Sequence, residues 1–273
     1  MNKFPLTKEY FPESIVTWFS DYATPDEVRK ACIREFIEQQ GAKSSEESLV
    51  GNFAAILNKS GLPWLPLDIQ FPHEKMAQEA KAVRDLFVSH RSGTKDGGYI
   101  NGNKGWAALA LHGISATNTQ SYNMYGYKSE KEVPYQWTEI AERCPVTTSF
   151  FKNIYPCDTY YRVRYTIIEP GGFIYPHTDR KESALWEVNL ALQNPQGFYF
   201  KLAHGGYIPF ENGKAFILDV SHEHAVVNLS DEERIHMIVH GYPLRNVRFQ
   251  NLISSSYEKM MQRPELFWKT TIS

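Results

Sequence analysis

Beyond Tyr160 the chain is cut into short β-prone runs by glycine, proline and asparagine, and this punctuation constrains its fold more than any other feature. Val163, Tyr165 and Ile167 alternate with Arg164 and Thr166, the pattern of a half-buried strand. Pro170-Gly171-Gly172 then predicts a turn. Val188, Leu190 and Leu192 alternate likewise, and Asn212-Gly213 between the apolar runs 207–210 and 215–218 predicts a tight hairpin. Residues 225–227 and 235–239 supply two more strands. Many short strands separated by such turns suggest a sandwich or jelly roll.

The region before residue 92 reads differently, as mostly helical. Thr24-Pro25-Asp26-Glu27 has the form of a helix start, with a capping hydroxyl, a proline at the first turn and two acids against the dipole. Val28, Cys32, Phe36 and Ile37 follow at helical spacing, and Gly41 can end the helix. Ser44-Ser45-Glu46-Glu47 is expected to open a second helix that carries Leu49, Phe53, Ile56 and Leu57 on one face and stops at Gly61. Pro63 and Pro66 interrupt any helix, so the expected division is a helical region 1–63 and a β domain 64–273. A third helix is expected at about residues 73–90, then a Gly- and Asn-rich loop at 93–105 and a strand from Trp106 to His112.

Composition narrows the class of function. The 273 residues are 42% hydrophobic and carry a net charge of -2, which gives no general drive toward nucleic acid or an anionic membrane. Cys32, Cys144 and Cys157 are too few and too scattered for a disulfide framework, and none forms a CxxC pair. The opening MNKFPLTKEYFPESIV has no apolar run after its lysine, and no segment reaches the length of a membrane span. The expectation is a cytoplasmic protein that binds neither nucleic acid nor membrane.

The chemistry concentrates in His177-Thr178-Asp179, where residues two apart on an extended chain share a face and can reach one ion. A second histidine, His224, lies in another β-prone run, and Arg234 opens the next run ten residues on. Folding these two runs as a hairpin about 228–232 would set His224 beside Arg234. Two His and one carboxylate form a facial triad that leaves positions open on Fe(II). An arginine buried near a metal asks for an anion, and a guanidinium takes a carboxylate through two parallel hydrogen bonds. His222 shares a strand face with His224 but lacks its ten-residue interval to Arg234, and is expected at the surface or behind the ligands. His236 and His240 are expected to decorate a strand face.

These pieces stand in a recognisable order. Tyr165-Thr166 and Pro170-Gly171 precede Pro176-His177-Thr178, followed by Gly205-Gly206, Asn212-Gly213-Lys214-Ala215-Phe216, Asp219, His224 with Val226 and Asn228, and Arg234-Ile235. Over residues 100–242 the chain resembles the iron(II)/2-oxoglutarate-dependent dioxygenases of the aspartyl/asparaginyl β-hydroxylase family. The resemblance implies a double-stranded β-helix (a cupin-like jelly roll) with flanking helices. It implies Fe(II) on His177, Asp179 and His224, and 2-oxoglutarate on Arg234 with the Thr166 hydroxyl. It further implies hydroxylation of an unactivated C–H bond with O2 as co-substrate and release of succinate and CO2. The substrate would be an amino acid, a peptidyl side chain or a related small metabolite.

Two departures from that pattern stand out. The family's namesakes carry glycine where this chain has Asp179, and they have an arginine about nine residues after the first histidine, where this chain reads Leu185-Trp186-Glu187-Val188-Asn189. A reading of another class remains, a cupin-like metal-binding or ligand-sensing protein without redox turnover, and it would not need Arg234. A nucleic-acid oxidase is a third. Arg162, Arg164, Trp186, Asn189, Tyr122, Tyr125 and Tyr127 are candidates for the substrate pocket.

Overall fold

The structure is a computed structural model that describes residues 3–22, 27–28, 30–32, 34–35, 38, 49, 51–90, 102–117, 122–179, 181–203, 205–241 and 246–263. Its strands are β1 (Trp64–Leu67), β2 (Val88–Ser89), β3 (Lys104–Gly113), β4 (Gln136–Trp137), β5 (Tyr160–His177), β6 (Glu187–Gln193), β7 (Phe198–Leu202), β8 (Gly206–Tyr207), β9 (Ala215–Leu218), β10 (His224–Asn228) and β11 (Arg234–Gly241). β5 organises them. Its first half, up to Ile168, pairs with β11, which continues through β6 and β9 to β1. Its second half, from Phe173, pairs with β10, which continues through β7 to β8. Successive strands thus pass between two antiparallel sheets that enclose a cavity, and this is the double-stranded β-helix.

The predicted turn at Pro170-Gly171-Gly172 is a bend within β5 instead. Between Ile168 and Phe173 the four residues 169–172 of β5 lie opposite only Gly105 of β3, between Trp106 and Lys104. The bend needs its glycines. Gly171 has φ +67°, and a Cβ on Gly172 would stand 2.8 Å from the backbone oxygens of both Glu169 and Lys104.

Two other pairings differ from the sequence-based expectation. Gly213 makes a turn with φ +77°, but the flanking runs do not form a hairpin: β8 pairs with β7, and β9 pairs with β6 and β1. β10 and β11 are likewise not paired to each other but flank opposite halves of β5. The reason in both cases is that a jelly roll sends the chain from one sheet to the other at these turns. Between β10 and β11, Asn228 fixes the crossing. Its side-chain amide donates to the carbonyls of Ile168 (3.1 Å), Glu169 (3.2 Å) and Glu232 (2.8 Å), and its Oδ1 accepts from the Ser230 amide and hydroxyl. Asn228 is wholly buried, so it serves the bend of β5 and is closed to glycosylation despite its Asn-Leu-Ser context.

The helical region is partly as expected. Described residues among 27–38 are helical, while Thr24-Pro25-Asp26, Phe36, Ile37, Gly41, residues 44–47 and residues 93–101 lie outside the described set. The next helix is Phe53–Lys59, capped by the Asn52 side chain, so Leu49 precedes it rather than belonging to it. The helix expected at 73–90 stops at Ala82, and a short turn, Arg84–Leu86, leads into β2. Ahead of them, Phe11 meets Phe173 edge-on, Ile15 and Phe19 are fully buried, and the Phe4 amide donates to the Leu229 carbonyl at 3.0 Å. A last helix, Val247–Gln262, is capped by Asn246 and buries Phe249, Ile253, Tyr257 and Met260. No described helix is long and apolar enough to cross a membrane, and Cys32, Cys144 and Cys157 are buried free thiols.

Asn228→Ala would strip three backbone carbonyls and a serine of their buried partner. At roughly 1 kcal/mol for each such bond, the variant is expected to lose about 3 kcal/mol or more of unfolding free energy. Urea denaturation checks this; an unchanged midpoint would contradict the role given to Asn228.

Candidate functional site

His177 is the last residue of β5 and His224 the first of β10, and the two stand opposite each other in register. Their ring centroids are 4.3 Å apart. Asp179 follows β5 by two residues, and its amide donates to the Val220 carbonyl at 3.0 Å, which turns the side chain back toward the histidines. His177 Nε2 lies 3.8 Å from Asp179 Oδ1, and His224 Nε2 lies 3.8 Å from Asp179 Oδ2. One ligand atom from each of the three falls within 4.8 Å of the others, and among the described residues this is the one group of its kind that could hold a metal ion.

The backbone orients both rings. His177 Nδ1 donates to the Tyr175 carbonyl at 2.7 Å, and His224 Nδ1 donates to the His222 carbonyl at 2.9 Å. Each proton on Nδ1 leaves Nε2 with a lone pair pointing toward Asp179, the tautomer that a metal ligand requires. Burial lowers the His224 pKa, with the neighbouring His177 acting in the same direction and Asp179 against it. Phe200 stacks on the His224 ring at 5.4 Å and 10° and holds its plane. His222 is not one of the three: it contributes its carbonyl, and its ring turns toward Asp219. Asp219 is buried and accepts from the Ser183 hydroxyl and the Ser221 amide, tying down the turn that leads into His224.

Arg234 opens β11 on the facing sheet and is 1% exposed. Its guanidinium carbon lies 4.2 Å from the Phe198 ring centroid and 4.7 Å from that of Phe210. Nε donates to Asn194 Oδ1 at 3.2 Å, while Nη2 has no hydrogen-bond partner among the described residues. Burial alone depresses its pKa, as expected for a desolvated cation without an anion. Thr166 lies on the neighbouring strand, one inward-facing position beyond Ile168, the residue opposite Arg234. Its hydroxyl is buried and has no partner among the described residues, and Thr166 is not one of the residues that line the cavity.

The triad and Arg234 line the same cavity between the sheets, together with Trp106, Arg162, Arg164 and Asn189. His236, Glu187 and His240 line it as well, so the two histidines expected on a strand face look inward. Burial pushes the His236 pKa well down, and Arg234 and Arg164 push the same way. Burial would raise the Glu187 pKa, but the hydrogen bond and charge of His240, then Arg164 and His224, hold it down at about 2. The tyrosine-rich loop is not part of the wall. Among the described residues, Tyr122, Tyr125 and Tyr127 do not line the cavity, and Trp186 faces an outer depression with Tyr135 and Tyr161. Phe198, Phe210, Glu187 and His240 carry no motif of their own; only the register of their strands brings them to the site.

The model of the aspartyl/asparaginyl beta-hydroxylase family matches residues 71–242, well over half of the chain, and the chain belongs to this family. Among solved structures it is similar to a Pseudomonas putida prolyl-4-hydroxylase, with 13% identity and a TM-score of 0.39 over 70% of this chain and 99% of that one. A Trichoplax adhaerens prolyl hydroxylase in complex with a hypoxia inducible factor peptide fragment matches at 8% identity and a TM-score of 0.42, over 66% of this chain and 83% of that one. No curated protein sequence matches the chain.

Titration of metal-free protein with a divalent transition metal is expected to reach one ion per chain. Asp179→Ala should weaken that binding by more than the roughly 10–100-fold that losing an outer hydrogen-bond partner costs. Equal affinity in the two proteins, by calorimetry, would contradict the geometry.

Proposed function

We propose that the chain is an Fe(II)/2-oxoglutarate-dependent dioxygenase that hydroxylates an unactivated C–H bond of an amino acid, a peptidyl side chain or a related small metabolite. His177, Asp179 and His224 would hold the iron. Arg234 would bind the distal carboxylate of 2-oxoglutarate, with the Thr166 hydroxyl as a second donor. Per turnover, one oxygen atom of O2 enters the substrate as hydroxyl, the other enters succinate, and CO2 leaves.

The observation that carries this reading is the buried Arg234 guanidinium. Withdrawing such a cation from water costs several kcal/mol. Two aromatic faces return roughly 2 kcal/mol each but accept no conventional hydrogen bond, and a neutral amide satisfies one nitrogen only. A carboxylate entering the cavity would meet Nη2 and complete the set. The family supports a hydroxylase, and the donor set supports iron, since two neutral imidazoles and a carboxylate are the ligands of non-haem Fe(II) oxygenases.

Iron supplies the oxidative chemistry when bound; the protein's own part is to place the reactants. The Nδ1 bonds keep both imidazoles aimed, Phe200 and Val226 help exclude water beside them, and Arg234 fixes one end of the dicarboxylate. The alternative of a metal-binding or sensing protein without turnover shares the triad but leaves the Arg234 site without a role.

Iron-loaded protein is expected to convert 2-oxoglutarate to succinate when offered a substrate, with a mass gain of one oxygen on that substrate. His177→Ala should bring succinate release to background. Succinate formation that persists in this variant would remove the triad from the chemistry.

A further inference from the structure

The cavity wall beyond the reach of the co-substrate is charged, and its charges are of both signs. On β5, β11 and β6 the inward positions form two rungs: Arg164 and Asn189 flank Ile238, and Arg162 lies opposite His240, which bonds to Glu187 at 3.2 Å. Arg234 lies opposite Ile168, four residues from Arg164 and six from Arg162, or about 13 and 20 Å along a strand. A five-carbon diacid anchored on Arg234 is far shorter than that. The rungs are therefore left for the other reactant.

They lie close to the triad. Arg162, Arg164, Glu187, Asn189 and His240 line the same cavity as His177, Asp179 and His224. The two arginines are permanently charged, and the hydrogen bond from His240 together with the nearby Arg164 holds Glu187 in its carboxylate form. One carboxylate, two guanidiniums and the buried amide of Asn189 thus face the same space beside the metal ligands. The complementary ligand bears an anion and a cation on one small head.

We propose that the substrate is a free α-amino acid, with its carboxylate bound by Arg162 and Arg164 and its ammonium by Glu187, so that its side chain points to the triad. This rests on the dioxygenase reading above and narrows it. A residue within a peptide carries neither charge, because its nitrogen is acylated and its carboxyl is an amide. Such a group brings no charge of its own to meet Glu187, Arg162 and Arg164, and polar sites discriminate most strongly against a ligand that lacks the groups they are built to bind.

The test uses the full chain loaded with iron and supplied with 2-oxoglutarate and O2. Succinate release is screened over free L-α-amino acids, and the best one is compared with its Nα-acetyl derivative, its carboxamide and a tripeptide containing it. Each blocked form is expected to lose about tenfold or more in kcat/KM, the scale of one lost charged hydrogen bond. Glu187→Gln should raise KM for the free amino acid by about tenfold with a much smaller change in kcat. Should Glu187→Gln fail to fold, Arg162→Gln, at the half-buried edge of the wall, reads the same shift in KM. Turnover of the blocked forms as fast as the free one, no turnover of any free amino acid, or a fall in kcat with KM unmoved would overturn the proposal. Anaerobic binding of 2-oxoglutarate to the iron-loaded wild type separates the two levels: if binding is present, such a failure concerns the substrate alone, and if it is absent, the dioxygenase reading falls as well.

Discussion

The buried guanidinium of Arg234 is the interaction on which the rest of the site depends. The β-sheet pairing puts it there: Arg234 begins β11 opposite Ile168, at the foot of the cavity, and Phe198 and Phe210 close over its faces. Such a position disfavours the charge, and among the described residues no acid relieves it. An incompletely satisfied cation lines the same pocket as three residues that could hold a metal ion, and under the proposed function an anionic ligand lies between them. Thr166 on the adjacent strand has a buried hydroxyl with no partner among the described residues, and under the proposed function it serves the same ligand.

What brings the triad and Arg234 into one cavity is the bend of β5. Because residues 169–172 are bulged, a single strand contributes Arg162, Arg164 and Thr166 to one sheet and His177 to the other. Asn228 holds that bend from the turn between β10 and β11, and those two strands carry His224 and Arg234. The three candidate metal ligands, Arg234 and the fold topology are therefore coupled through one asparagine and two glycines.

Much of this was legible in the sequence, for identifiable reasons. The alternating runs at 163–167 and 188–192 mark strands because side chains in a strand alternate faces, and the short strand beginning at Ala215 follows its Asn-Gly turn. His177, Asp179, His224 and Arg234 could be singled out because few functions other than metal and anion binding need those residue types in that order. Partners were harder. A period of two tells which face a residue takes but not which strand lies alongside, so β8 with β9 and β10 with β11 read as hairpins when each crosses between sheets. For the same reason His236 and His240 read as decoration of a strand face, although both line the cavity. The C-terminal helix had a readable signal in the Asn246 cap and the spacing of Phe249, Ile253, Tyr257 and Met260, but no motif drew attention to it.

The account stands or falls on whether Arg234 is the anchor of a dicarboxylate that also meets the metal. The direct measurement is an anaerobic titration of iron-loaded protein with 2-oxoglutarate, in the wild type and in Arg234→Leu. The wild type should bind one equivalent, and Arg234→Leu should retain iron while losing about 100-fold or more in 2-oxoglutarate affinity, the scale of a bidentate charged pair. Equal binding by the two proteins would contradict the account, because the buried guanidinium would then serve some other purpose.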